Sequence, residues 1–91
     1  MKIREGILLK NICGAWLLIA TGEAAEHCMY VREINDSLAF YWQKIAEGKA
    51  KEEIIQETLD RFDVSEELAR KDLDLLIEQL YSMNYLIREE E

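Results

Sequence analysis

An α+β fold is predicted, with a three-stranded antiparallel sheet followed by three helices. Three observations predict it. Runs of β-branched, aromatic and other apolar residues at strand length are confined to the part of the chain before Asn35. From Asn35 onward the apolar residues recur at helical spacing instead, and the two periods distinguish strands from helices. Finally, 91 residues make a single domain spanning the whole chain, because a chain this size buries roughly 60–65% of its unfolded surface and supports one modest core.

The first strand is predicted over Ile7–Ile12 and the second over Ala15–Ala20, joined at Cys13-Gly14. A two-residue loop with glycine suits a hairpin, because such turns need positive φ. The second strand, AWLLIA, is apolar without alternation, which predicts a central strand covered on both faces. Thr21–His27 is a polar connection, and Met29–Ile34 returns as the third strand, left at an edge of the sheet. Its alternation puts Tyr30, Arg32 and Ile34 on one side and Met29, Val31 and Glu33 on the other.

Asn35 is the predicted N-cap of the first helix, Asp36–Glu47, because its side-chain oxygen can take an orphan N–H of the first turn. Leu38, Tyr41, Trp42 and Ile45 form its apolar stripe, and Gly48 stands where a left-handed C′ residue is wanted. The second helix, Lys51–Phe62, carries Ile54, Ile55, Leu59 and Phe62 on one face. Ser65 caps the third, with Glu66 and Glu67 in the turn that the helix dipole favours, and the helix runs to about Met83. Asn84 is a plausible C′ residue, and Tyr85–Arg88 a short extended tail before three solvated glutamates.

The third helix has more apolar positions than one arc holds. Ala69, Leu73, Leu76, Ile77, Leu80 and Met83 share the core face, while Leu68 and Leu75 fall on a flank with Asp72 and Gln79 between. Either a wide core wraps that far, or the two leucines line the wall of a groove.

Charge narrows the function. Eleven basic residues against nineteen acidic ones give −8, and the excess lies entirely after residue 34, where seven basic groups face fifteen acidic ones. A winged-helix relative would use its third helix to read DNA, but Glu66–Met83 holds only Arg70 and Lys71 against five acids. Nucleic-acid affinity comes from cations displacing counterions at phosphates, so DNA binding is not expected. Cys13 and Cys28 lack metal-ligand spacing; a disulfide between them is geometrically possible but unneeded, and they read as two reduced thiols, with no metal or cofactor expected. Glu26-His27-Cys28 is the one triplet from which catalysis could be argued, and adjacent residues point different ways, so no dyad follows. With no phosphate loop or nucleophile elbow either, the chain reads as non-enzymatic. The N-terminus matches neither a signal peptide nor a membrane span, and a cytoplasmic protein is expected.

Binding through the third strand remains. An exposed edge offers unpaired N–H and C=O groups to an added strand, although sheet packing alone also accounts for its residues.

The run Ile34-Asn35-Asp36-Ser37, then Ala39 and Trp42, Gly48-Lys49, Val64, Asp72, Leu76, Leu80 and Leu86 resembles the coenzyme PQQ synthesis protein D family over nearly the whole chain. Leu38 stands where the family tends to have a small residue, and Asn84 where it tends to have glycine. The resemblance implies a small winged-helix-like recognition element for ribosomally made, post-translationally modified peptides (RiPPs). It implies a non-catalytic chaperone that binds a precursor's leader peptide as a strand added to the third strand. The groove would be closed by the third helix, and the peptide delivered to a modifying enzyme, often a radical SAM protein. Carried over by position, the strand wall is Met29, Tyr30, Val31, Arg32 and Glu33, and the helix wall Leu68, Lys71, Asp72, Leu75 and Gln79. The alternative is a self-associating or regulatory module that uses the same edge; a monomer or weak dimer is expected.

Overall fold

The computed structural model describes residues 1–87. In chain order it contains β1 (Lys2–Ile3), β2 (Ile7–Ile12), β3 (Ala15–Ala20), a 3-10 turn (Gly22–Glu26), β4 (Val31–Ile34), α1 (Asp36–Ala46), α2 (Lys51–Arg61), α3 (Glu66–Ser82) and β5 (Leu86–Ile87). β2, β3 and β4 make an antiparallel sheet in that order, and β1 pairs with β5 in a separate two-stranded ribbon. Arg88 and the glutamates after it lie outside the described residues.

The hairpin between β2 and β3 closes at Cys13-Gly14, both with positive φ, 52° and 86°. That is the primed turn whose twist matches the strands it joins, and the Asn11 side chain accepts the Gly14 N–H at 3.2 Å. At the other end of the hairpin, Gly6 has φ 92° and a Cβ there would lie 2.6 Å from the Thr21 carbonyl oxygen, so only glycine fits.

β3 is central, as its sequence suggests, but only one of its faces is covered. Leu18 and Ala20 point into the core and are fully buried, whereas Leu17 and Ile19 on the outer face stay half-exposed between β2 and β4. An unbroken apolar run marks a central position in a sheet without marking what covers it. β4 begins two residues later than expected. Cys28 N–H is held by the Ala24 carbonyl at 3.0 Å, which carries the 3-10 turn on to the doorstep of Met29. Pairing with β3 starts at Tyr30, whose carbonyl accepts the Ala20 N–H at 2.8 Å.

The caps are where the sequence places them. Asn35 accepts from Leu38 N at 2.8 Å and Ser65 from Leu68 N at 3.1 Å. α1 and α3 close alike: Gly48 N–H returns to Ile45 and Lys49 N–H to Lys44, while Asn84 N–H returns to Tyr81 and Tyr85 N–H to Leu80. These are the paired 5→2 and 6→1 bonds of a Schellman ending. Asn84 adopts φ 68° where the resemblance would place glycine, a conformation its short polar side chain tolerates.

β1 and β5 have no counterpart in the sequence reading beyond the extended tail. Lys2 pairs with Ile87 and Ile3 with Leu86. The Asn84 carbonyl accepts both Arg4 Nε at 2.7 Å and the Cys28 thiol at 3.1 Å, and the Asn84 amide donates to His27 O. The two ends of the described chain are thus clasped beside the turn that leads into β4. Burial raises the Cys28 thiol above its ordinary pKa, against the opposing pull of Arg4. It stands apart from Cys13, which is exposed in the hairpin, and both are free thiols.

One core joins sheet and helices: Leu18, Ile34, Trp42, Ile54, Ile55, Leu73, Leu80 and Tyr85 lie at its centre, with Trp42 and Tyr85 ring centroids 6.1 Å apart edge to face. Among the described residues no helix is long and apolar enough to cross a membrane.

Candidate functional site

Among the described residues, β4 is paired on one side only. The Ala20–Tyr30 bond fixes the phase of the ladder, because hydrogen-bonded and non-hydrogen-bonded pairs alternate between antiparallel strands. Arg32 and Ile34 therefore direct their backbone groups to Leu18 and Trp16. Val31 and Glu33 turn theirs to the open edge, where no described strand receives them. Side chains alternate at right angles to that: Ile34 is buried and Arg32 half-buried on the inner side, while Val31 and Glu33 are exposed.

Beside this edge lies a cleft of about 540 Å³. One wall is Arg32, Glu33, Ile34 and Asn35; the other is Leu75, Glu78, Gln79 and Ser82 of α3 with Met83 just after it, and Leu38 of α1 lies with them. A second cleft of about 370 Å³ shares Asn35, Leu38, Leu75 and Gln79 and continues between α1 and α3 to Tyr41 and Asp72. The two make one groove that starts at the strand edge and runs along the helix.

Of the residues named from sequence, Arg32, Glu33, Leu75 and Gln79 line the first cleft and Asp72 the second. Val31 lies on the edge with its side chain on the outer face, 43% exposed. Met29 and Tyr30 precede β4 and are well exposed, although Tyr30 still bonds to β3. Leu68 lies two turns from Leu75 on the same flank of α3, and Lys71 stands exposed one turn after it; neither lines either cleft. Leu75 is 54% exposed and Leu68 46%, so the core does not wrap around to them.

Leu38 packs against the core, as its spacing predicts, and also lines both clefts. The signal was available: Leu38 sits in the first turn of α1, and helical side chains point back toward the N-terminus, which here is the end of β4. Phe40, off the expected stripe, takes a core place and meets Phe62 with ring centroids 5.3 Å apart.

Ion pairs hold the helix wall. Arg70 of α3 forks onto Glu52 of α2, Nη1 to Oε2 at 2.6 Å and Nη2 to Oε1 at 2.9 Å, and also reaches Glu66 at 3.0 Å. Lys51 pairs with Asp74 on the same interface. The Arg70 hydrogen bond lowers the pKa of Glu52, and the carboxylates raise that of Arg70. Lys44 likewise lowers Glu57.

A hollow of about 610 Å³ lies on the other flank of α3, lined by Lys49, Lys51, Asp74 and Ile77 among others. It is slightly larger than the cleft but adjoins neither open edge of the three-stranded sheet, and part of its lining is occupied with the Lys51–Asp74 pair.

An α+β domain with one bare strand edge opening into a helix-walled groove is the class that these features define. The chain belongs to the coenzyme PQQ synthesis protein D (PqqD) family, whose family model matches residues 29–86. The match takes in β4 and all three helices and leaves out the hairpin, a narrower span than the sequence reading gave. A search of the curated proteins found no match. Among solved structures the chain is similar to TbiB1 in complex with the TbiA(beta) leader peptide, at 19% identity with a TM-score of 0.80 over 100% of both chains. It is also similar to a lasso peptide synthetase B1 complexed with the leader peptide, at 17% identity and a TM-score of 0.76, covering 97% of this chain and 96% of that one. At these identities the likeness establishes a common fold.

Proposed function

We propose that this protein is a non-catalytic, cytoplasmic peptide chaperone. It takes the leader segment of a ribosomally made precursor peptide as a fourth strand against β4 and presents it to a modifying enzyme, such as a radical SAM protein, in the biosynthesis of PQQ or another RiPP. The observation that carries this reading is the juxtaposition of the bare Val31 and Glu33 backbone with the groove behind it. A strand laid there gains main-chain hydrogen bonds, and its alternate side chains enter the groove, where Leu38 and Leu75 offer apolar contact. Family membership and a fold shared with two leader-peptide complexes support it. On this reading the peptide contacts are Val31, Arg32, Glu33, Asp72, Leu75 and Gln79, with Met29, Tyr30, Leu68 and Lys71 at the ends of the groove.

The test is an amide chemical-shift titration of the labelled protein with candidate leader peptides and a scrambled control. Shifts gathered in Val31–Glu33 and along Asp72–Gln79 are the expected outcome. The second reading, self-pairing of two copies, is favoured by the same bare edge. Concentration-dependent mass with no leader-induced shift would select it.

A further inference from the structure

Among the described residues, Arg32 is the one basic residue lining either cleft, with three acids, Glu33, Asp72 and Glu78. Its Nε is buried, with no hydrogen-bond partner among the described residues. That is unexpected in a chain with a charge of −8. Arg70, by contrast, holds two carboxylates at once. The register explains the difference. Arg32 faces inward from β4 and lines the cleft, and no described carboxylate lies within ion-pair distance of it.

A buried guanidinium donor without an acceptor is costly, and the cost is recovered when an acceptor arrives. The geometry limits what that acceptor is. A strand added at the open edge uses its main-chain groups on Val31 and Glu33, in the plane of the sheet. Only its side chains project at right angles into the cleft. Because Arg32 gives its own backbone to β3, the added residue opposite it forms a non-hydrogen-bonded pair if the strand runs antiparallel, the arrangement with the closest side chains. The match for a planar, permanently charged fork at that place is a carboxylate.

We infer that Arg32 selects a peptide strand bearing an aspartate or glutamate side chain directly opposite it, facing the cleft. This rests on the strand-addition reading above and specifies the ligand that the site takes. The acidic helices around the groove act at longer range and favour basic residues elsewhere in the peptide. Glu78, on the far wall of the cleft, disfavours a second acid deeper in the groove. The inferred signature is therefore a single acid at one register position, with an apolar residue two places away to meet Leu38 and Leu75.

The experiment is selection of a random twelve-residue peptide library on the immobilised full chain, in parallel with Arg32→Met and Arg32→Glu. Each selected peptide is checked for amide shifts at Val31 and Glu33, and both variants for a native amide spectrum. The wild type is expected to enrich one fixed acidic position, Arg32→Met to lose that enrichment while still capturing edge-bound peptides, and Arg32→Glu to replace it with lysine or arginine. Converting the selected acid to its amide should weaken wild-type binding roughly tenfold to a hundredfold and leave Arg32→Met binding unchanged. Edge-bound peptides with no fixed acid, or the same acid enriched on Arg32→Met, would overturn the inference and leave strand addition standing. Selected peptides that never shift Val31 or Glu33 would overturn both.

Discussion

The two edges of the sheet are alike as backbone and unlike as sites. β2 and β4 each pair with β3 on one side only, so each presents every second residue's N–H and C=O outward. On β2 these belong to Ile7, Leu9 and Asn11, because Thr21 N–H bonds to Gly6 O and so sets the phase. Yet β2 lines neither cleft, and it carries Lys10, a residue type that discourages strand pairing at edges. β4 opens into a groove walled by a helix whose flank leucine is left exposed. A bare edge offers the same hydrogen bonds to any strand; the surface next to it decides which strand stays and which edge is used.

The strongest way to break this comparison is to remove what α3 contributes. Leu75→Glu should weaken leader-peptide binding by roughly a hundredfold, since burying a leucine contributes about 1.5–3 kcal/mol and each 1.4 kcal/mol is about tenfold. At 54% exposure the same change should move stability by no more than about 0.5 kcal/mol. Leu73→Ala, two residues earlier and fully buried, should do the reverse, costing about 2–5 kcal/mol of stability. Denaturant midpoints and peptide titrations on the two variants separate wall from core; a Leu75→Glu chain that unfolds would place Leu75 in the core.

A smaller effect distinguishes the edges themselves. Glu33→Pro removes an outward N–H while leaving the ladder to β3 intact, and Arg32 before it is already extended, as a residue preceding proline prefers. Peptide affinity should fall roughly tenfold to a hundredfold, whereas Glu33→Ala, which keeps the N–H, should bind within about threefold of wild type. In the same titration the amides of Leu9 and Asn11 on the other edge should not move. Equal shifts at both edges would show that the groove has no part in the choice.

How much of this was readable in the sequence depends on how local the cause is. The bounds of β2 and β3, the Asn35 and Ser65 caps and the helix endings follow from neighbours within a few residues, and they stand where the residues indicate. The bare edge followed as well, from the order of the three strands in the meander. The β1–β5 ribbon did not, because Lys2–Ile3 carries no strand period and its partner is at the other end of the chain. The late start of β4 also escaped, since it depends on a 3-10 turn and on Asn84 reaching back to His27. Within the groove, the flank position of Leu75 was visible from helical angles. The unpartnered Arg32 needed to be seen with the helix in place, because it is defined by what stands across from it.

The smallest predicted effect asks whether the wall can be loosened while the sheet stays. Arg70 ties α3 to α2 through Glu52 and holds the pKa of that carboxyl below its ordinary value. A group whose folded pKa is depressed contributes stability that is fully present above its unfolded value and is lost as pH falls through the folded one. Glu57, lowered by Lys44, acts in the same direction. Stability should therefore hold from about pH 7 to about pH 5 and decline below the ordinary carboxylate range. The Arg70–Glu52 pair is solvent-exposed and the Lys44–Glu57 pair partly so, and the decline is therefore modest and shrinks with added salt. Glu52→Gln should flatten that decline, and amide exchange at low pH should quicken along α2 and α3 before it does in β2 and β3. Such an order would mean that the groove has one firm wall and one adjustable wall, with the sheet edge fixed and the helix free to fit the peptide side chains. If Glu52→Gln shows the wild-type acid profile, the Arg70 fork carries no stability and the helix wall is held by the buried Leu73, Leu76 and Leu80 with the Lys51–Asp74 pair.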